Sequence, residues 1–185
     1  MNKIRWGIIG PGSIANNFAD GLKGSYSGEL VAIASFNDNR RKTFGDKFQI
    51  EESLRFNSYD ELLNSESVDA VYISTPHTLH AELSIKAAGK GKHILCEKPG
   101  AVNFKQTSEV IEKVKEAGVF YKEGFMYRCH PQIPALLNLI KKKPSVLSPP
   151  NIEKIAIFAR LRLSLIHISE PTRQEAIGCG GVGVE

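Results

Sequence analysis

The chain has 185 residues, 42% of them hydrophobic and 24% charged, with a formal net charge of +4, which is the make-up of a globular protein large enough for one full domain and part of a second. No run of about 18 apolar residues is present, so no membrane partner is expected, and charge and glycine break the segment Met1 to Gly10 too early for a secretory leader. The basic residues are scattered except for Lys141-Lys142-Lys143, a run that suits the negative end of a helix, so nucleic acid is not an expected partner.

Cysteines 96, 129 and 179 are odd in number and lack CxxC spacing, which fits unpaired thiols in a reducing cytoplasm and neither a disulfide framework nor a metal site. From the N-terminus, apolar runs of strand length alternate with helical patterns. That order predicts an α/β fold, a Rossmann-type doubly wound parallel sheet with helices on both faces. Residues 4–9 read as the first strand, 14–23 as a helix, 30–35 as the second strand and 40–48 as a second helix. Ser58 and Glu61 stand at capping-box spacing and predict the start of a short helix. Residues 70–74 follow as a strand, 80–88 as a helix with Gly89 at its C′ position, and 92–96 as another strand. Asn103 predicts the cap of a longer helix closed by Gly118, and 119–123 is the last strand of the series.

The first candidate site is Gly10-Pro11-Gly12-Ser13-Ile14-Ala15, flanked by a strand and a helix. In Gly10-x-Gly12-x-x-Ala15 the first glycine permits a tight turn and the second lets backbone approach a pyrophosphate. Ala15 is small enough for the helix to pack on the strand, and the helix N-terminus supplies amides and a partial positive charge. A glycine-rich turn that only joins strand to helix is the plainer, weaker reading.

The second strand ends in Ser35-Phe36-Asn37-Asp38-Asn39-Arg40-Arg41. An acid at that tip binds the ribose 2′-hydroxyl of NAD, and a basic residue suits the 2′-phosphate of NADP. Ser35, Asn37 and Arg40 could hold a phosphate while Asp38 argues for the ribose, so the cofactor is read as NADP or NAD with a lean to NADP. Two more strand ends, Ser74-Thr75-Pro76-His77-Thr78-Leu79-His80 and Cys96-Glu97-Lys98-Pro99, point at the same edge of the sheet, where ligands bind in open α/β folds. Lys98 there is the catalytic candidate: it can donate to a substrate oxygen or pass a proton while hydride moves, with Glu97 bonding the nicotinamide ribose or holding the lysine. An ordinary Glu97–Lys98 surface pair is the alternative that spacing leaves open.

Four segments, Gly10 to Ala15, Thr75-Pro76-His77-x-x-His80, Glu97-Lys98-Pro99 and Glu123-Gly124-Phe125-Met126-Tyr127-Arg128-Cys129-His130-Pro131, occur in an order and spacing that resembles the glucose-fructose oxidoreductase / inositol dehydrogenase / MocA family. Within it the last segment is most similar to the branch of dihydrodiol and D-xylose dehydrogenases. The resemblance covers Met1 to about Leu139. It implies an NAD(P)-dependent oxidoreductase acting on a hydroxyl or carbonyl of a small sugar, polyol or dihydrodiol-type substrate, with Lys98 beside nicotinamide and substrate. It further implies that Thr75, Pro76, His77, His80 and Glu97 line the cofactor and that Met126 and Arg128 approach its nicotinamide end. Phe36 stands where NADP-using members often carry arginine, which works against the lean to NADP.

The resemblance also sets the expected domains. Residues 1–124 are the cofactor domain. Residues 125–162 are a crossover helix (132–142) and the start of the first strand (152–163) of a truncated α+β substrate domain, and the parent protein is expected to pair with itself through that domain's sheet. The segment 143–150 does not match the family's short turn. Leu163 to Arg173 reads, codon by codon, as the translation of a transposase adapter used in DNA-sequencing libraries, so 163–185 is expected to be a non-native tail and the chain itself inactive. A dinucleotide-binding module without chemistry is the competing reading. Lys98 and His80 together at the reactive end speak against it, and a transferase using another nucleotide would not call for the Glu97-Lys98-Pro99 loop.

Overall fold

The computed structural model describes residues 3–142. The expectations for 143–150, 152–163, the tail at 163–185 and Cys179 lie outside the described residues. The chain divides after Gly124 into two compact units.

The first unit is built on a six-stranded sheet with the order β3-β2-β1-β4-β5-β6, formed by β1 (Ile4–Ile9), β2 (Gly28–Ala34), β3 (Arg55–Phe56), β4 (Ala70–Ile73), β5 (His93–Cys96) and β6 (Tyr121–Glu123). Every neighbouring pair is parallel, so each connection must cross over and helices cover the faces. The helices are α1 (Ser13–Leu22), α2 (Asp38–Lys47), α3 (Tyr59–Asn64), α4 (His80–Gly89) and α5 (Phe104–Ala117). This is the Rossmann arrangement expected from the alternating pattern.

Strand alternation explains the two layers. Ile9, Ala32, Ala34, Val71, Ile73, Ile94 and Cys96 face one way and join Leu62 and Leu63 of α3, Ala81, Leu83 and Ala87 of α4, and Val110 and Val114 of α5 in one buried cluster. On the opposite face Phe18 of α1 stacks on Tyr72 at 4.1 Å and meets Trp6 edge-on at 5.2 Å. Ile8 and Ile33, on that face, are fully buried; burial of one such side chain contributes about 1.5–3 kcal/mol.

Two helix ends behave as their local chemistry dictates. Asn103 accepts the Gln106 N–H at 3.0 Å, and Gly118 closes α5 in the left-handed region. Two others do not. Ser58 precedes α3 but its side chain caps nothing, and α4 runs through Gly89, so the left-handed residue is Gly91. The two-residue edge strand β3 was not anticipated, because two residues carry no periodicity.

The second unit, as far as it is described, holds a short 3₁₀ turn at Met126–Cys129 and helix α6 (Gln132–Lys142), whose bounds match the helix expected there.

Asp69, just before β4, accepts from Arg5 three times: from the backbone N–H at 2.8 Å, from Nε at 3.0 Å and from Nη2 at 2.7 Å. Those bonds to the guanidinium hold the Asp69 carboxyl below its ordinary value, so the stability they add is complete above the unfolded pKa of about 3.9 and fades as pH falls through the lower folded value. The pair is half exposed, which keeps its contribution near ~1 kcal/mol. Asp69→Asn is therefore expected to lose about 1 kcal/mol in urea unfolding at pH 7 and to approach the wild type as pH falls through the lowered folded-state value of Asp69; a gap that stayed constant down the whole acid limb would assign the effect to something other than this charge.

Candidate functional site

In a parallel sheet all strands end at one edge, and here the loops after β1, β2, β4 and β5 bring the predicted residues of the first unit to it. The strand order reverses between β1 and its two neighbours, β2 and β4, the switch point where open α/β sheets form a crevice.

Gly10 leaves β1 with φ +90° and donates its N–H to Ala34 O at 3.2 Å. A β-carbon at Gly10 would stand 3.1 Å from Ser74 O and from Thr75 Cγ2, so both the backbone conformation and the space demand glycine. The turn is closed by Gly12 N–H donating to Gly10 O at 2.9 Å and by Ser74 Oγ donating to the same oxygen at 2.8 Å. Gly12 is different. It is exposed, and nothing lies within 4 Å of a β-carbon placed there. It is also the N-cap of α1, with no side chain capping the helix, so the first-turn amides of Ser13, Ile14 and Ala15 have no intrahelical acceptor. Pro11 and Ile14 are half-buried, Ser13 is exposed, and Ala15 is fully buried where α1 packs on the sheet.

Beside this turn Thr75 is buried, and its Oγ1 has no hydrogen-bond partner among the described residues. A buried hydroxyl without a partner costs about 1–3 kcal/mol. The open Gly12, the uncapped helix and the orphaned hydroxyl all fit a bound dinucleotide.

At the tip of β2, Ser35 is buried and its Oγ accepts the Asn37 N–H at 3.2 Å. Asn37 caps α2 by accepting the Arg40 N–H at 2.9 Å. Asp38, which competes for the ribose in the sequence reading, is paired with Arg41 at 2.5 Å, and Arg41 also donates to Ser35 O at 2.7 Å. Arg40 is exposed, and Phe36, 68% exposed, rests on Tyr59 with ring centroids 4.5 Å apart.

Of the β4 loop, Pro76 and His77 are exposed. His80 is not. Its ring is fully buried, with Nδ1 2.8 Å from Pro99 O and Nε2 2.8 Å from Thr75 O. The ring thus joins the loop after β4 to the loop after β5 through their carbonyls. A neutral imidazole donates to one of these oxygens and the imidazolium to both.

Lys98 and Glu97, both half-buried, follow β5. Glu97 Oε1 accepts the Tyr72 hydroxyl at 2.6 Å, and Oε2 accepts the Lys98 N–H at 3.3 Å. Two residues absent from the sequence reading thus belong to this edge. Tyr72 lies inside the strand read at 70–74, and a buried phenol must find a partner. Glu123, quoted only within a motif, accepts the Gly100 N–H at 2.6 Å. Met126, half-buried, and Arg128, exposed, lie in the second unit on the 3₁₀ turn, where Arg128 N–H donates to Phe125 O at 3.0 Å.

A Rossmann sheet with an open phosphate seat at its switch point defines a dinucleotide-binding domain. Residues 4–125 match the model of the oxidoreductase family with an NAD-binding Rossmann fold, the glucose-fructose oxidoreductase / inositol dehydrogenase / MocA family, and the chain belongs to that family. It is 36% identical over 139 residues to the trans-1,2-dihydrobenzene-1,2-diol dehydrogenase of Mus musculus, covering 74% of this chain and 41% of the relative. It is 37% identical over 128 residues to D-xylose 1-dehydrogenase (NADP(+)) 2 of Haloferax volcanii, covering 69% and 39% respectively. Among solved structures it resembles KijD10, a 3-ketoreductase from Actinomadura kijaniata in complex with TDP-benzene and NADP, with a TM-score of 0.70, 34% identity, and coverage of 76% of this chain and 44% of that one. The chain thus spans about two fifths of the length of the curated relatives it matches.

Replacing His80 by leucine keeps the volume and removes the ring's polar contacts to the Pro99 and Thr75 carbonyls. His80→Leu is expected to cost about 2–4 kcal/mol in chemical denaturation; a loss below about 0.5 kcal/mol would show that the ring's hydrogen bonds do not hold the loops.

Proposed function

We propose that this chain binds NADP(H) or NAD(H) along the carboxyl edge of its sheet, with the pyrophosphate on Gly10 to Ala15. The observation that carries the reading is the open Gly12 at the uncapped start of α1, beside the orphaned Thr75 hydroxyl. Ser35, Phe36 and Arg40 would meet the adenosine ribose, with Arg40 and Ser35 suited to a 2′-phosphate. Asp38's pairing with Arg41 and the NADP named for two relatives support the lean to NADP. Thr75, Pro76, His77 and Glu97 would border the nicotinamide half.

For the whole protein we propose oxidoreduction of a sugar, polyol or dihydrodiol-type hydroxyl or carbonyl. A nicotinamide bound there supplies or accepts the hydride. Lys98 would donate a hydrogen bond from Nζ to the substrate oxygen and hold or pass its proton, while Glu97, fixed by Tyr72, steadies the loop that carries it. The domain reading remains part of this proposal: residues from 125 on open a substrate domain, and self-association runs through that part. The free thiols of Cys96 and Cys129 fit a cytoplasmic setting, and no described helix is long and apolar enough to cross a membrane.

Titration with NADPH and NADH, read by nicotinamide emission, is expected to saturate for at least one of them. Gly12→Ala fills the cradle without touching protein, so it is expected to change stability by no more than about 1 kcal/mol while weakening binding at least about tenfold. Unchanged affinity in a folded Gly12→Ala variant would move the pyrophosphate elsewhere, and no saturation in the folded wild type would end the cofactor reading.

A further inference from the structure

We propose that Glu123 is a positioning residue for Lys98, acting through the amide of Gly100. The proposal rests on the cofactor reading above. Lys98 sits in a stretch without regular structure that runs from the end of β5 at Cys96 to the start of α5 at Phe104. Such a stretch does not hold a lysine in place by itself, yet the peptide groups around Lys98 are tied to α4 and β6 directly and to β4 through Glu97.

On the far side of the lysine, Gly100 is buried, so its N–H needs a partner. The chain has already left the sheet there and no ladder carbonyl takes that role. Glu123, the last residue of β6, reaches over and accepts with Oε1 at 2.6 Å, a short bond to a carboxylate of the stronger kind. Tyr121, two residues earlier on the same face of β6, places its hydroxyl where a side chain at Gly100 would have to go, so the loop can approach β6 only as glycine. The end of β6 is itself fixed beside β5, since Gly124 N–H donates to Cys96 O at 2.7 Å.

The remaining contacts close the arrangement. His80 of α4 meets Pro99 O, and Glu97, held by Tyr72 of β4, accepts the Lys98 N–H. Lys98 is therefore bracketed on its N-terminal side by Glu97 and on its C-terminal side by Pro99 and Gly100. Of these contacts the Glu123 bond is the one made by a carboxylate from another strand. Freeing the Gly100 amide lets the C-terminal half of the bracket move, and with it the ε-amine.

The test compares Glu123→Ala and Glu123→Gln in the full chain by two readouts. The first is calorimetric titration with NADPH and with 2′-phospho-ADP-ribose, which keeps the second ribose and lacks only the nicotinamide. Glu123→Ala is expected to weaken NADPH about tenfold and leave 2′-phospho-ADP-ribose within about twofold, while Glu123→Gln, whose amide oxygen still accepts from Gly100, restores NADPH binding. The second is the rate of Lys98 acetylation by acetic anhydride without any cofactor, followed by mass spectrometry; it is expected to change at least about threefold in Glu123→Ala and to return in Glu123→Gln. Should Glu123→Ala not fold, Glu123→Asp, one methylene short of Gly100, is read in the same way. Equal weakening of both ligands would make Glu123 a general brace and overturn the proposal, as would an unchanged Lys98 rate with unchanged NADPH affinity. If the wild type binds neither ligand, the cofactor reading falls, and the acetylation rates still decide whether Glu123 positions Lys98.

Discussion

The left-handed turn at Gly10 is the constraint on which the site depends. Its N–H is bonded to β2 through Ala34, its carbonyl is held by Ser74 after β4, and the space a side chain would need is filled by that same β4 loop. One residue therefore ties the central strand to both neighbours at the switch point and aims the chain into α1. Because the turn is fixed from three sides, Gly12 and the first amides of α1 stand in a set position, with no side-chain cap on the helix among the described residues. Preorganisation of this kind lets a short loop hold a charged ligand without ordering itself at the moment of binding.

The rest of the edge follows the same rule, with flexible loops tied from behind by rigid elements. Trp6, Phe18 and Tyr72 form an aromatic stack on one face of the sheet, and the Tyr72 hydroxyl at its end orients Glu97. On the other face His80 reaches from α4 to the loops after β4 and β5. Burial decides which of these contacts matter for stability. Exposed pairs such as Lys105–Glu109 contribute little, whereas the enclosed His80 and Ser35 contacts leave unpaired polar atoms when broken. Cys96 illustrates the same environment: burial pushes its thiol up to about 12, so it packs as a small apolar residue and is a poor nucleophile.

Much of this was legible in the residues, for reasons that are local. The Gly10 loop, the Asn103 cap and the Gly118 stop each depend on a few neighbouring backbone groups, and a buried parallel sheet writes itself as alternating apolar runs. What was not legible depends on distant partners. The contacts of His80 to the Pro99 and Thr75 carbonyls join loops that spacing alone does not bring together. Tyr72 looks like core until Glu97 arrives from 25 residues away, and Glu123 reads as the end of a strand until Gly100 folds back on it. Ser58 and Glu61 had the spacing of a capping box, yet the Ser58 side chain makes no cap bond, because spacing permits the contact without compelling it. Gly89 was the first glycine after the helical pattern, but the chain continued to Gly91 before turning left-handed.

In the proposed cofactor mode the phosphate seat lies on the uncapped first turn of α1. Amide ¹H–¹⁵N spectra of the folded chain, recorded as NADPH is added, test it most directly. The largest shifts are predicted at Gly12, Ser13 and Ile14, with further shifts at Thr75, while the amides of α5 stay in place. Saturable binding that leaves Gly12, Ser13 and Ile14 unmoved would contradict it.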